Sequence, residues 1–256
     1  MAELSNAEIA VRYRDVIADS AGVTTDDLER WQTLILPEQE RAESELAVAY
    51  HVGAPTLIRT DPSLADRLAP LASASVALTS QAIRDRVADI GFDFINGGDQ
   101  HLLSAGDLRR RPLPDGSTMR RLDGDAPADR AMIVELLQRC DPEDVDAGEL
   151  EVDDIDPFAI GVIDDSSGLL GALASARPWT PESIFDDIGI ITATEHRAQG
   201  WGSYAVSTLC RLIFEHDRLP VYRNNWDNPA SKGLARAVGF HLAGHLTAIG
   251  PAAPTG

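Results

Sequence analysis

The stretch DDIGIITATEHRAQGWGSYA, residues 186 to 205, constrains this chain more than any other. An apolar, β-type run from Ile188 to Thr192 is followed by a basic residue, Arg197, and by two glycines two apart, Gly200 and Gly202. A helix then begins, in which Ala205, Val206, Leu209, Leu212 and Ile213 keep 3.6-residue spacing. Glycines at such a corner let the backbone turn tightly and direct successive N–H groups outward. The unpaired amides at the helix start add partial positive charge, so the element suits a phosphate or pyrophosphate.

Around this corner, strands and helices alternate. Met119 to Leu122 predicts a short strand, and Ala131 to Cys140 a helix with Met132, Leu136 and Leu137 on one side. Phe158 to Ile163 and Leu169 to Ala176 read as two strands joined by the DDSSG turn at 164 to 168. After the 202 to 216 helix comes a strand from Val221 to Asn224. Asn228-Pro229 then supplies an N-cap and a proline at the first helical position. That helix buries Ala230, Leu234 and Val238 and ends at Gly239, and Phe240 to Ile249 closes the chain as a strand or hairpin. The fold class is α/β (α+β), strands alternating with helices.

The first hundred residues differ. Ile9, Tyr13, Val16 and Ile17 form one helical stripe, and Leu28, Trp31, Leu34 and Ile35 another. Two strands are visible: Thr56 to Thr60, closed by Asp61-Pro62, and Phe92 to Ile95, which stops at Gly97-Gly98. A helix around Ser80 to Asp89 lies between them. The Arg-, Pro- and Gly-rich segment RRRPLPDGSTMRR, 109 to 121, marks a boundary. The expected division is a mostly helical extension, 1–116, and a second domain, 117–256. A degenerate half-domain, a cover for an acceptor site and a homodimer contact all remain open as roles for the extension.

Composition removes several classes. A net charge of −19 argues against nucleic acid and anionic membrane surfaces as partners. No run approaches the ~18 apolar residues of a membrane span. The charged start MAELSNAEIAVRYRDV lacks a signal-peptide apolar block, which predicts a cytoplasmic protein. Cys140 and Cys210 fall in apolar helical patterns and read as buried free thiols. The six histidines show no HxH or HExxH spacing, so no metal site is expected.

The glycine corner itself admits three readings. It is a strand-to-helix turn without a ligand, or a dinucleotide-binding turn, since Gly200-x-Gly202-x-x-Ala205 satisfies GxGxxG/A. The second fits poorly, because the turn is about seven residues long rather than two or three, and Asn224 and Asn225 stand where an acid is required. The third is a resemblance. Arg197-x-x-Gly200-x-Gly202 resembles the Q/R-x-x-G-x-G/A signature of the GNAT superfamily of N-acetyltransferases. Asn228-Pro-Ala-Ser231, with Gly239-Phe240, resembles that family's second motif. The resemblance covers about residues 117 to 250.

The resemblance implies a GNAT-like mixed sheet with flanking helices, acetyl-CoA as acyl donor, an amine acceptor of unknown identity, and direct transfer between them. Main-chain groups of Ile190, Ile191 and Thr192 would pair with the pantetheine arm, and one amide would polarise the thioester carbonyl. The amides of Ala198, Gln199, Gly200, Trp201 and Gly202, with Ser203, would hold the pyrophosphate. Arg197 either adds charge there or is a solvated loop arginine. Asn228 and Ser231 would contact pantetheine or pyrophosphate, although Asn228 is also the N-cap. The base position falls on Asp186 or Asp187, whose other reading is a pair of exposed strand-edge acids. Residues 141 to 156 hold nine acids and no base, and read as a guide for a cationic acceptor or as a solvated loop. The family's usual tyrosine, seven residues after the motif asparagine, is replaced by Ala235. Tyr204 and Tyr222 are the nearest phenols in sequence, and both are expected in packing roles. A non-catalytic acyl-CoA-binding protein is the alternative.

Overall fold

The computed structural model describes residues 4–20, 22–72, 78–148, 150, 158–180 and 182–252. Ile9, Tyr13 and Ile17 form the expected stripe on α1 (Asn6–Ser20), and all three are fully buried. Gln100 Nε2 donates to Tyr13 Oη at 2.8 Å. Thr24 starts α2 (Thr25–Arg30) with a capping box, its side chain accepting from the Asp27 N–H while the Asp27 carboxylate accepts from its own. That short helix ends before the second stripe is complete. Leu34 and Ile35 lie instead on β1 (Thr33–Pro37), where β-branched residues ahead of a proline favour extended backbone.

A further strand, β2 (Ala47–His51), carries little sequence signal, because Ala47 and Ala49 offer weak hydropathy contrast on its buried face. Next come β3 (Thr56–Thr60), α3 (Ala65–Ala72) and α4 (Ser80–Val87), the last capped by Thr79 Oγ1 accepting from the Ala82 N–H at 3.1 Å. Strand β4 (Phe92–Leu102) runs straight through the two glycines expected to stop it. A Cβ at Gly97 would overlap the Trp226 ring, so this glycine makes room for an indole rather than a turn.

From β5 (Ser117–Leu122) onward the expected alternation appears: α5 (Pro127–Arg139), β6 (Phe158–Asp164), β7 (Leu170–Pro178) and β8 (Phe185–Thr192), with one further short helix, α6 (Pro142–Gly148), that the pattern did not predict. Then follow α7 (Trp201–Glu215), β9 (Leu219–Asn225) and α8 (Pro229–Val238). These strands lie in the order β9-β8-β7-β6-β5. Neighbours from β5 to β8 are antiparallel, while β8 and β9 are parallel. Alternation sends β7 residues to two cores. Ala172 and Ala174 meet Ala205, Leu209 and Ile213 of α7, whereas Leu173 meets Ile133 and Leu136 of α5. Each fully buried Leu or Ile contributes roughly 1.5–3 kcal/mol, and this holds α7 against the sheet. Strand β8 begins three residues before the predicted Ile188, which places Asp186 and Asp187 inside it.

The last element, β10 (His241–Pro251), is one strand and not a hairpin, and it pairs antiparallel with β2, Leu246 opposite Tyr50. The described chain therefore divides differently from the expected 1–116 and 117–256. One compact unit is built on His101–Asn224 and Asn228–His241. The other joins Ala7–Gln100 to Asn225–Asp227 and to the chain from Leu242 onward, with strands in the order β1-β3-β2-β10-β4. The arginine-rich segment lies within the first of these units rather than at its edge. Composition marks loops, but it does not reveal a strand that returns from one end of the chain to pair near the other.

Candidate functional site

Strands β8 and β9 pair from Phe185 opposite Leu219 to Ile188 opposite Tyr222. Beyond that point β8 continues to Thr192 with its other edge on β7, where Ile190 faces Ala174 and Thr192 faces Ala172. The two parallel strands part there, over a cleft of about 610 Å³, which is in the range of small-molecule sites. The walls bring together Ile190, Ile191, Thr192, Arg197, Ala198, Gly200, Trp201, Gly202, Ser203, Asn228 and Ser231. Gln199 belongs to the same loop but turns away, its Nε2 donating to the Glu195 carbonyl at 2.7 Å.

The loop's backbone explains its chemistry. Ala198 and Gly200 are left-handed, with φ of +59° and +89°. Left-handed residues in alternation turn successive N–H groups to one side, the geometry of an anion-binding nest. No acceptor among the described residues takes the amides of Ala198 through Ser203, and the first helical bond runs from the Tyr204 N–H to the Gly200 carbonyl at 2.9 Å. Trp201 and Gly202 are themselves buried. Orphan donors on buried residues cost stability unless an acceptor meets them, and an anion meets several at once. Gly202 lets the helix start close on β8, for a Cβ there would lie 2.7 Å from Thr192 Oγ1. Trp201 stacks on His196 with ring centroids 3.9 Å apart.

Arg197 is solvent-exposed, as one of its two readings has it, yet its guanidinium is not without partners. Its Nε donates to the Thr192 carbonyl at 3.1 Å and its Nη2 to Asp144 of α6 at 2.7 Å, so it ties the end of β8 to α6. Two glycines complete that contact. A Cβ at Gly189 would sit 2.5 Å from the Gly148 carbonyl oxygen, and one at Gly148 would sit 3.0 Å from that of Ile190. Helix α6 thus forms part of the cleft wall, through Asp144 and Gly148. Of the acidic segment 141 to 156, residues 149 and 151–156 lie outside the described residues.

Asn228 resolves by atom. Its Oδ1 accepts from the Ser231 N–H at 2.9 Å as the N-cap of α8, while its Nδ2 has no partner among the described residues. Both readings of this side chain therefore remain compatible. Ala235 is fully buried on α8 and offers no proton. Tyr222 corrects the packing-only expectation. It packs against Phe240, yet it also lines the cleft, with Oη 2.5 Å from Ser231 Oγ. Burial pushes its pKa up to about 12, so the phenol stays protonated. Only the β8–β9 register, which puts Tyr222 opposite Ile188, could have signalled this. Tyr204 packs against the α7 core as expected.

The two acids also depart from expectation. Neither is an exposed strand-edge residue: Asp186 is 0% exposed and Asp187 7%. Arg218 Nε and Nη2 donate to the two Asp186 oxygens at 2.7 and 2.6 Å. Arg223 grips Asp187 the same way, at 3.2 and 2.5 Å, and lies over the Trp179 ring. Arg223 lines the cleft, but neither aspartate does. A buried carboxylate needs such partners, and this explains both residues without a substrate.

Cys140 and Cys210 are free and buried, and burial raises both thiols above their ordinary pKa. No described helix is long and apolar enough to cross a membrane. No group of three or more His, Cys, Asp and Glu among the described residues is placed to hold a metal ion.

A mixed sheet with helices on both faces, parting over an anion loop, is the GNAT fold, and the chain has it. No family model matches the sequence, and no curated protein matches it. Solved structures do match. A tandem GNAT protein from the clavulanic acid biosynthesis pathway superposes with a TM-score of 0.50 at 16% identity, covering 72% of this chain and 62% of that one. A Drosophila protein superposes with a TM-score of 0.51 at 14% identity over 98% of this chain and 90% of that one. A GCN5-related N-acetyltransferase from Kribbella flavida matches at 18% identity and a TM-score of 0.49, over 66% of this chain; the chain spans 63% of that protein's length.

Proposed function

We propose that this protein is an N-acyltransferase that moves an acetyl group from acetyl-CoA to an amine. The observation that carries the reading is the row of unpaired amides from Ala198 to Ser203, set at the head of the gap between β8 and β9. Pyrophosphate suits those donors, and the open edge of β8 suits the amide-bearing pantetheine arm. The acyl carbonyl then lies by the Ile190–Thr192 edge, where a main-chain N–H stabilises the tetrahedral oxyanion. The amine nitrogen bonds to the carbonyl carbon, the C–S bond breaks, and the sulfur takes the Tyr222 proton. Asp186 is structural in this scheme. Asp187 holds Arg223 on the cleft wall, and the proton the amine loses passes through water back to the Tyr222 oxygen, which restores the phenol. The likeness to the clavulanic-pathway protein supports the fold of this reading; the donor and acceptor rest on the chemistry of the cleft.

Calorimetry with acetyl-CoA, followed by thiol release across a panel of amines, tests it. Binding with turnover on at least one amine is expected. Tight binding with no thiol release on any amine would replace it with the non-catalytic acyl-CoA-binding reading. Binding of NAD in preference to CoA would overturn it.

A further inference from the structure

The cleft does not end at the anion loop. Past Ser203 it continues along Gly233 and Ala237, between α7 and α8, and reaches Arg111. A Cβ at Gly233 would meet nothing within 4 Å, so this groove is open. Three arginines line the whole cleft, and two are already committed: Arg197 to Asp144 and Arg223 to Asp187. Arg111 is exposed and pairs with no described carboxylate. Of the three cleft arginines, it is the one whose guanidinium has no acid partner among the described residues.

Its backbone is nevertheless fixed. The Arg111 N–H donates to Ser207 Oγ of α7 at 3.3 Å, and the Arg109 N–H donates to the Val238 carbonyl at the end of α8 at 2.8 Å. Gly239, with φ of +106°, leaves space for the Asp107 carbonyl where a Cβ would stand. The 107–111 segment is thereby tied to both helices, and Arg111, whose guanidinium has no partner among the described residues, lines the groove between them.

Taken with the acetyl-CoA reading above, on which this rests, the direction of the ligand follows. Pantetheine runs from the loop back along β8, so the ribose and its 3′-phosphate must run the other way, over Ser203 toward Arg111. We infer that Arg111 binds the 3′-phosphate of CoA and makes the protein select CoA over its 3′-dephospho form. A terminal phosphate carries about −1.5 to −2 charges at neutral pH, and the planar guanidinium fork matches its oxygens.

The test is calorimetry of the full chain with CoA and with 3′-dephospho-CoA, for wild type, Arg111→Ala and Arg111→Lys. Wild type is expected to prefer CoA by ~10-fold or more, the size of one charge-assisted contact. Arg111→Ala should bind the two ligands about equally, and Arg111→Lys should keep part of the preference. Equal wild-type affinity for both ligands would overturn the assignment while leaving the acetyl-CoA reading standing. So would a preference that survives in Arg111→Ala. Binding of neither ligand by wild type would overturn both. Circular dichroism confirms that the variants are folded, as an exposed side chain allows.

Discussion

Gly200 allows the anion loop to be tested by two substitutions whose effects separate. Its φ of +89° suits glycine, and a Cβ there would meet nothing within 4 Å. Gly200→Ala therefore adds no clash, only the ~1–2 kcal/mol of a left-handed L-residue. Gly200→Asp carries a similar backbone cost, softened because aspartate tolerates this region better. It also puts a carboxylate at the positive end of the α7 dipole. A negative charge there returns ~0.3–1 kcal/mol. Without ligand, the aspartate variant should thus be at least as stable as the alanine variant.

With ligand, the order reverses. A carboxylate about 4 Å from one phosphate charge costs ~1 kcal/mol at the dielectric of water and ~4 kcal/mol at an effective value of 20. CoA affinity of Gly200→Asp should fall ~5- to 1,000-fold below that of Gly200→Ala. The gap should narrow in 1 M salt, where the Debye length is ~3 Å. Thermal melts and calorimetry on both variants suffice. Equal CoA affinity in the two, with both folded, would mean that the pyrophosphate does not bind here.

Three further outcomes are expected. Tyr222→Phe should slow thiol release ~100-fold while leaving CoA affinity intact, and the wild-type rate should show no falling limb below about pH 10, since the phenol's pKa is pushed up to about 12; an unchanged rate would remove Tyr222 from the chemistry. Arg218→Ala strands the buried Asp186 carboxylate and should cost ~3–5 kcal/mol in urea unfolding. Asp186→Asn should cost less and keep turnover, and loss of turnover at normal CoA affinity would restore Asp186 as the base. His51 is held neutral, burial lowering its pKa to about 4 while Nδ1 donates to the Leu78 carbonyl at 2.8 Å. Because the folded value lies below the unfolded ~6.5, its contribution of roughly 3 kcal/mol is present above pH ~6.5 and is lost as pH falls toward 4; urea unfolding should show this pH-dependent loss in wild type and not in His51→Gln.

The elements that were legible are those whose local chemistry and tertiary role agree. Asn228-Pro229 starts a helix by capping alone, and Gly200 and Gly202 mark the loop because the backbone conformation and close approach there need glycine. Gly97 shows the limit of the same reasoning. A glycine in a strand can signal a turn or a nearby side chain, and the Trp226 ring that decides the matter lies far away in sequence. Leu34 and Ile35 fit a helical stripe and a strand equally well over so short a run, and the actual end of α2 settled the choice.

The site residues divide on the same principle. Amides of the 198–203 loop are set by backbone geometry, which glycine spacing encodes locally. Side chains that act through a partner are encoded by no local pattern. Asp186 and Asp187 look like interchangeable neighbours in sequence, yet alternation sends them to Arg218 and Arg223. Each arginine lies more than thirty positions away, on β9 or just before it. Tyr222 and Ser231 meet only because β9 and the first turn of α8 border the same cleft. An alanine at position 235 therefore does not leave the cleft without a phenol: a cleft bounded by a parting strand and a capped helix can receive one from either. In this chain the strand supplies it, and Ala235 is left to pack the helix against the core.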